Sequence, residues 1–278
     1  MGRPNTLALK KKAVEIRKDI LKMLMLAGSG HTGGSLSIVE ILVALYYYKL
    51  RHDPAQPAWR ERDRFLLSKG HACPALYAVL ADRGYFPKDD LWTLRKFGSQ
   101  LQGHSQIGLS GVEISSGSLG QGLSIANGIA LAARLDGLDM RTYCLMGDGE
   151  TNEGQVWEAA MTAAHYKLDN VCAIIDANGL QIDGFCCDVK NLGVLRHKWE
   201  SFGWHVIEAD GHDVAALMDA FDAAEKVKGK PTVVIAHTVK GKGVSFVENK
   251  AEWHGIAPKK EEYERAVREL DDAMNALK

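Results

Sequence analysis

The residues best suited to chemistry follow two apolar segments that the sequence predicts as buried strands. The first segment, residues 142–146, runs directly into a glycine-flanked Asp148, and the next, residues 171–175, ends shortly before Asn178. Open α/β sheets bind ligands at the carboxyl ends of their parallel strands. Because these strands are successive, we expect the Asp148 carboxylate and the Asn178 carboxamide to lie side by side.

Oxygen ligands of this kind suit a hard divalent cation. Mg²⁺ in proteins usually takes one or two carboxylates and completes its shell with phosphate oxygens and water. The glycines beside Asp148 allow the backbone to approach a ligand closely, and helix N-termini after such loops direct N–H groups at phosphates. A glycine-flanked aspartate alone is more often a tight turn, but the strand context and Asn178 favour a Mg²⁺–diphosphate site.

Four of the ten histidines lie in loops next to glycine, namely His31, His71, His104 and His254. A lone histidine is most often an ordinary surface or core residue, whereas four in such settings indicate the lining of a polar pocket. Imidazole can hold a phosphate oxygen as a cation or move a hydroxyl proton near neutral pH. No HxH or HExxH spacing occurs, which disfavours zinc.

Residues 28–33 also fit the dinucleotide-binding pattern GxGxxG, with Asp53 twenty residues further on. That fingerprint requires a strand before the glycines and a helix after them. Residues 9–27 instead place their apolar side chains at helical spacing, which disfavours a dinucleotide site. The Gly/Ser-rich residues 116–122 precede a predicted helix, so they are either a second phosphate-supporting or ring-supporting loop or an ordinary connection.

Alternating strands and helices surround these loops. We predict strands at residues 64–68, 142–146, 171–175, 206–210 and 232–237, and helices at residues 9–27, 37–49, 74–84, 123–135, 155–166, 214–227 and from 261 onward. Ser37 and Glu40 resemble a capping box that opens the second helix. This alternation indicates an α/β fold, a mostly parallel sheet with helices on both faces, and we predict a single domain over residues 1–278. The long loop at residues 98–122 is expected to be functional.

Composition excludes several classes of function. With 34 basic and 35 acidic residues, the net charge of −1 provides no field for nucleic acid or an anionic membrane. No apolar run reaches the roughly 18 residues of a membrane helix. The five cysteines lack ligand spacing, which indicates a reducing, cytoplasmic location.

The ordered motifs resemble those of the thiamin diphosphate enzymes. Asp148 with Glu153-Gly and the later Asn178 is similar to their GDG…N signature. Six further segments between Met25 and His254 resemble the amino-terminal part of transketolase: SGHTGGSLS, SKGHACPALY, SSGSLGQG, NGLQIDG, HTVKGKG and EWHG. The resemblance therefore covers nearly the whole chain and implies the diphosphate-binding type of thiamin diphosphate fold.

The resemblance implies a role for each matching residue. The Mg²⁺ ligands would be Asp148, Asn178 and the carbonyl of Leu180, with Ca²⁺ or Mn²⁺ able to substitute. The contacts to thiamin diphosphate would be made by His71, Gly117, Ser118, Leu119, Gly149, Asn178 and His254. The substrate-facing residues that handle the sugar hydroxyls would be His31, His104 and His254. Glu153 would lie at a subunit interface.

The reaction that the resemblance implies is transfer of a two-carbon ketol unit from a ketose phosphate to an aldose phosphate. Transketolases continue into a pyrimidine-binding domain and a carboxy-terminal domain, which this sequence lacks. We therefore expect the amino-terminal subunit of a split transketolase, active only with a separate carboxy-terminal subunit in a two-plus-two assembly. No nucleic acid or membrane partner is expected.

Two prolines that flank the substrate-facing histidines in the family are replaced by hydroxyl residues here, Thr32 and Ser105, and Gln106 follows where the family has an acid. Ordinary drift is the simpler interpretation, and an altered sugar substrate is the other. Three alternatives stay open: a 1-deoxyxylulose 5-phosphate synthase-like reaction, ketol transfer on a modified or sulfonated sugar, and a non-catalytic cofactor-binding half.

Overall fold

Five parallel strands form the centre of the molecule. They are β1 (Arg64–Leu67), β2 (Thr142–Gly147), β3 (Val171–Ala177), β4 (His205–Asp210) and β5 (Thr232–His237). Their order across the sheet is β1-β2-β3-β5-β4, and every neighbouring pair is parallel. The computed structural model describes residues 2–277, so Met1 and Lys278, the ends of the predicted domain, lie outside it. The predicted α/β class is confirmed.

Helices cover both faces of this sheet. They are α1 (Thr6–Ala27), α2 (Thr32–Ser37), α3 (Val39–Ala44), α4 (Cys73–Asp82), α5 (Gly122–Leu135), α6 (Gly154–His165), α7 (Cys186–Val189), α8 (Leu195–Ser201), α9 (Val214–Lys226) and α10 (Lys260–Ala276). Alternate strand residues point to opposite faces. Thus Tyr143 and Leu145 join a core with α1, α3, α4 and α9, whereas Cys144 and Met146 join a second core with α5, α6 and α8.

The expected capping box of Ser37 and Glu40 is wrong. The helix begins earlier, at Thr32, is interrupted at Ile38, and ends in a π-helical turn over Leu45–Lys49. Both side chains have distant partners instead, because the Ser37 hydroxyl donates to Asp176 and the Glu40 carboxylate pairs with a cation on α1. Tertiary contacts have therefore replaced the local cap.

The glycine-rich segment after α1 follows a helix, as predicted, and not the strand of a dinucleotide fingerprint. A 22-residue helix, not a strand, leads into it, and Gly28 ends that helix in the left-handed region with φ 64°. Glycine adopts this conformation without the steric cost that a side chain would add. Within residues 2–277, no helix combines the length and apolar character needed to cross a membrane.

Candidate functional site

A cavity of about 490 Å³ opens at the carboxyl ends of β2 and β3. Eight of the twelve residues predicted for the site line it: His71, Leu119, Asp148, Gly149, Glu153, Asn178, Leu180 and His254. Its position follows from the topology, since loops after neighbouring parallel strands converge at one edge of the sheet.

Asp148 and the loop that carries Asn178 are in direct contact. Gly147 at the end of β2 pairs with Asp176 near the end of β3, so the two chain segments leave the sheet together. Asp148 is 3% exposed, and its carboxylate accepts the N–H of Gly149 at 2.7 Å and that of Gly179 at 2.6 Å. The predicted adjacency of the two strand ends is therefore confirmed.

A buried ion pair lies next to the cavity, with its lysine in the cavity lining, and sequence reasoning assigned it no role. Asp176 and Lys69 are 0% and 2% exposed and form an ion pair. The Asp176 carboxylate also accepts from the Ser37 hydroxyl at 2.7 Å and from the Asn178 amide nitrogen at 2.8 Å. Burial alone would raise the pKa of Asp176, but Lys69 and the donated hydrogen bonds outweigh it and lower that pKa. Asp176 thereby fixes the orientation of the Asn178 side chain.

Glu150 is a second buried acid that the sequence did not single out. Its carboxylate accepts the N–H of Gly120 at 2.8 Å, the N–H of Gly147 at 3.0 Å and the hydroxyl of Ser68. Burial raises the pKa of Glu150. Glu150 ties the Gly/Ser-rich loop to the Asp148 loop. In the Gly/Ser-rich loop, the N–H of Gly120 is therefore bound by a protein oxygen.

The acids at this edge of the sheet outnumber the cations. Asp148, Glu150 and Asp176 are each at most 3% exposed, and the buried cations beside them are Lys69 and Lys240, each 2% exposed. Burial, and then the charge of Asp176, raise the pKa of Asp148 to about 6. A divalent cation would reverse this excess of negative charge, so the donor set and its charge both fit a metal. Among residues 2–277, no three His, Cys, Asp or Glu side chains form a metal site by themselves.

The four histidines predicted to share a pocket are brought together. The ring of His31 lies 5.1 Å from His71, 5.7 Å from His104 and 5.5 Å from His254, measured between centroids. His71 and His254 are 5.1 Å apart. They come from four separate segments of the chain, which the fold brings to one place.

Burial keeps these imidazoles neutral. Burial and then the neighbouring Lys240 lower the pKa of His254 to about 3, and burial with the charges of His104 and Arg95 lowers that of His31 to about 4. The Lys240 ammonium lies 2.7 Å from Nδ1 of His254, so this nitrogen accepts and Nε2 carries the proton. These groups are arranged for hydrogen bonding and proton exchange with hydroxyls.

The remaining predicted residues border the histidine cluster or the cavity. A Cβ placed on Gly117 would lie 3.7 Å from the His104 ring, and Ser118 is exposed beside it. Glu153 is exposed and is the N-terminal cap residue of α6. It also lies close to Gly120, since a Cβ added to Gly120 would be 2.7 Å from the Cβ of Glu153.

The two hydroxyl residues that replace family prolines are engaged within the protein. Thr32 donates to the carbonyl of Ile256 at 2.5 Å, and the hydroxyls of Ser105 and Ser116 lie 2.7 Å apart. The first bond joins the His31 loop to the segment after His254, and the second joins the two arms of the long loop. This geometry favours a structural role for both hydroxyls.

Comparison with known proteins identifies the family. The transketolase, thiamine diphosphate binding domain family matches residues 9–272. The chain belongs to the transketolase family. The crystal structure of transketolase from Campylobacter jejuni superposes on this chain with a TM-score of 0.91 at 34% identity. That alignment covers 96% of the present chain and 43% of the Campylobacter jejuni protein.

Two relatives align with this chain over nearly their whole length. One is an apulose-4-phosphate transketolase subunit of Phocaeicola vulgatus, 44% identical, with 94% of this chain and 93% of the relative aligned. The other is a 6-deoxy-6-sulfo-D-fructose transketolase subunit of Clostridium sp. (strain MSTE9), 46% identical over 95% and 96%. By contrast, the chain spans 43% of the transketolase of Pongo abelii, at 40% identity. The resemblance inferred from the motifs is confirmed.

Proposed function

We propose that this chain is the thiamin diphosphate-binding subunit of a two-chain transketolase that transfers a two-carbon ketol unit from a ketose phosphate to an aldose phosphate. The observation that carries the proposal is the cavity at the ends of β2 and β3, where Asp148 and the Asn178 loop meet beside four clustered histidines. Family membership supports the cofactor, and this geometry supports the assignment of residues to it.

Asp148, Asn178 and the carbonyl of Leu180 would hold Mg²⁺, for which Ca²⁺ or Mn²⁺ could substitute, and Gly149 with Asn178 would face the diphosphate. The buried carboxylate of Asp148, its raised pKa and its hydrogen bond from Gly179, the residue after Asn178, support this role. Thiamin diphosphate supplies the carbon–carbon bond chemistry when it is bound, and the protein orients it and excludes water.

The histidines act on the sugar side of the site. His31, His104 and His254 would exchange protons with sugar hydroxyls, since neutral imidazole can donate from one nitrogen and accept at the other. In His254 the donor is Nε2, because Lys240 occupies Nδ1. His71, Gly117, Ser118 and Leu119 would contact the cofactor.

An anionic sugar is the proposed substrate class. Arg95 lies beside the histidines, because its positive charge lowers the pKa of both His31 and His104. Its guanidinium also lies next to Gly103, where an added Cβ would be 2.5 Å away from it. A guanidinium pairs well with either a phosphate or a sulfonate. The relatives named for apulose 4-phosphate and 6-deoxy-6-sulfo-D-fructose favour a modified sugar as the second candidate substrate.

A separate subunit would complete the site. Two relatives named as transketolase subunits align with this chain almost from end to end, which supports the same arrangement here. The partner would carry the pyrimidine-binding and carboxy-terminal domains, two copies of each chain would assemble, and Glu153 would lie at an interface between subunits. A cytoplasmic location and a place in pentose phosphate metabolism belong to the same proposal.

The test is turnover by the chain co-purified with its partner, in the presence of Mg²⁺ and thiamin diphosphate. Product from xylulose 5-phosphate and ribose 5-phosphate, or from 6-deoxy-6-sulfofructose and an aldose phosphate, supports ketol transfer and selects the sugar. Product from pyruvate and glyceraldehyde 3-phosphate instead supports the 1-deoxyxylulose 5-phosphate synthase-like alternative. Cofactor binding without turnover on any pair supports the non-catalytic half.

A further inference from the structure

Three charged or polar side chains form a buried unit outside the cavity. The guanidinium of Arg17 on α1 makes two parallel bonds to the Glu40 carboxylate on α3, at 2.6 and 2.7 Å. Nδ1 of His212, in the loop between β4 and α9, lies 2.9 Å from the same carboxylate. The three side chains are 5%, 9% and 14% exposed. We call them the Arg17–Glu40–His212 unit.

This unit holds both sides of the loop that follows β5. His212 Nε2 accepts the backbone N–H of Val239 at 2.8 Å. Arg17 Nε donates to the backbone carbonyl of Lys242, also at 2.8 Å. Because a backbone N–H can only donate, Nε2 must carry a lone pair, and the ring proton on Nδ1 is then donated to Glu40. One tautomer of His212 therefore satisfies both contacts.

The segment between these two anchors carries Lys240. Its side chain is 2% exposed, and its ammonium lies 2.7 Å from His254 Nδ1. The following residue, Gly241, donates its N–H to the carbonyl of Gly33 at 3.0 Å. Lys240 thus reaches the cavity from a short loop that is fixed by backbone contacts on each side.

We infer that the Arg17–Glu40–His212 unit is a positioning device that holds Lys240 against His254 and thereby shapes the diphosphate end of the cavity. Its three members touch neither the cavity nor the histidine cluster, so they are positioning residues and not catalytic residues. The contribution to cofactor binding rests on the proposed function, whereas the effect on the loop does not.

The alternative is that the unit only joins α1 to α3. A buried ion pair is a weak choice for that purpose, because well-packed apolar side chains usually stabilise a contact as well or better. Apolar side chains could not accept the Val239 N–H or donate to the Lys242 carbonyl. The directional contacts with the loop are therefore what the charged side chains add.

Two substitutions at His212 separate these roles. His212→Gln keeps an acceptor near the position of Nε2 and so keeps the contact with Val239, whereas His212→Asn keeps a donor toward Glu40 and loses that acceptor. His197→Asn, at an exposed histidine on α8, is the matched control. The melting temperature of each full-length variant reports whether it folds.

The decisive measurements need no cofactor. We expect His212→Asn to increase hydrogen exchange at the Val239 amide about tenfold, because loss of one buried hydrogen bond has a cost of this order. Covalent labelling of Lys240 near neutral pH, followed by mass spectrometry, should become faster by a similar factor. His212→Gln should behave as His197→Asn does in both measurements. Equal exchange and labelling in His212→Asn and His197→Asn would overturn the inference.

Arg17→Lys tests the inference independently and covers the case in which His212→Asn does not fold. Lysine keeps a cation beside Glu40 but has no Nε–H for the Lys242 carbonyl, so labelling of Lys240 should again become faster. Unchanged labelling in folded Arg17→Lys counts against the unit.

In the two-chain complex, His212→Asn should raise the Kd for thiamin diphosphate about tenfold, as for other residues that orient ligand-binding groups. If the variants change hydrogen exchange and Lys240 labelling but the wild-type complex shows no ketol transfer, the proposed function is refuted. The role of the unit in positioning Lys240 would still be supported.

Discussion

The buried carboxylate of Asp148 lowers the stability of the fold, although the proposed function of the protein requires it. Burial and the charge of Asp176 raise its pKa from 3.8 to about 6. An acid whose pKa is raised by folding binds its proton more tightly in the folded protein than in the unfolded chain. By linkage, its ionisation destabilises the metal-free protein as the pH rises from about 4 through 6. The full effect is about 3 kcal/mol above that range.

Asp148→Asn should therefore stabilise the metal-free chain. The amide is neutral at every pH but keeps only one of the two oxygens that accept the Gly149 and Gly179 N–H groups. Stability should therefore lie about 1 kcal/mol below wild type near pH 4 and, because the ionisation effect of about 3 kcal/mol is removed, about 2 kcal/mol above it near pH 8. With Mg²⁺ and thiamin diphosphate in the assembled enzyme, the order should reverse. Ligand at a hundredfold excess over Kd adds about 2.7 kcal/mol to a protein that binds it, and the variant would gain almost none of this.

Urea denaturation across this pH range, with and without the ligands, measures both effects. Asp183→Asn is the control, because Asp183 is an exposed carboxylate that borders the same cavity. The control should change neither stability nor ligand stabilisation by more than about 0.5 kcal/mol. Lower stability of Asp148→Asn than of wild type at pH 8 without ligand would refute the raised pKa of Asp148. Equal stabilisation of the variant and wild type by Mg²⁺ and cofactor would refute its role as a ligand.

Three further predictions concern the histidines, the loop and the buried lysine. His31→Ala or His104→Ala should lower kcat for ketol transfer about a hundredfold or more with little change in cofactor Kd, and equal losses would contradict a role toward the sugar. Ser105→Ala should lower the free energy of unfolding by about 1 kcal/mol through loss of the bond to Ser116, and unchanged stability would show that this bond does not hold the loop. Lys240→Met should raise the pKa of His254 toward its ordinary value, because it removes the neighbouring cation; an NMR titration that shows no rise would contradict the assigned contact.

Much of the fold was predictable because the strands carry their own signals. Each predicted strand agrees with the structure within two residues at either end, since buried parallel strands are continuous apolar runs that polar or glycine residues interrupt. The contact between Asp148 and the Asn178 loop followed from one geometric rule about strand ends. The clustering of the four histidines was predicted from their glycine-rich settings alone.

The parts that could not be predicted depend on partners far away in sequence. Ser37 and Glu40 have the spacing of a capping box, but their partners are Asp176 and Arg17, which lie 139 and 23 positions away. The burial of Lys69 was equally hidden, because a lysine is almost always exposed unless a specific acid receives it. Local spacing contains no information about such pairs.

The balance of buried charge links these observations to function. A fold selected for stability alone would not place Asp148, Glu150 and Asp176 at one strand edge with only two buried lysines beside them. Lys69 and the hydrogen-bond donors around Asp176 compensate that acid, whereas burial keeps the pKa of Glu150 raised although two backbone N–H groups and Ser68 donate to it. Asp148 is left with two backbone donors and a raised pKa, facing the cavity. Because Asp148 has two hydrogen-bond donors and Glu150 has three, Asp148 is the acid whose charge the cation of the proposed function would neutralise.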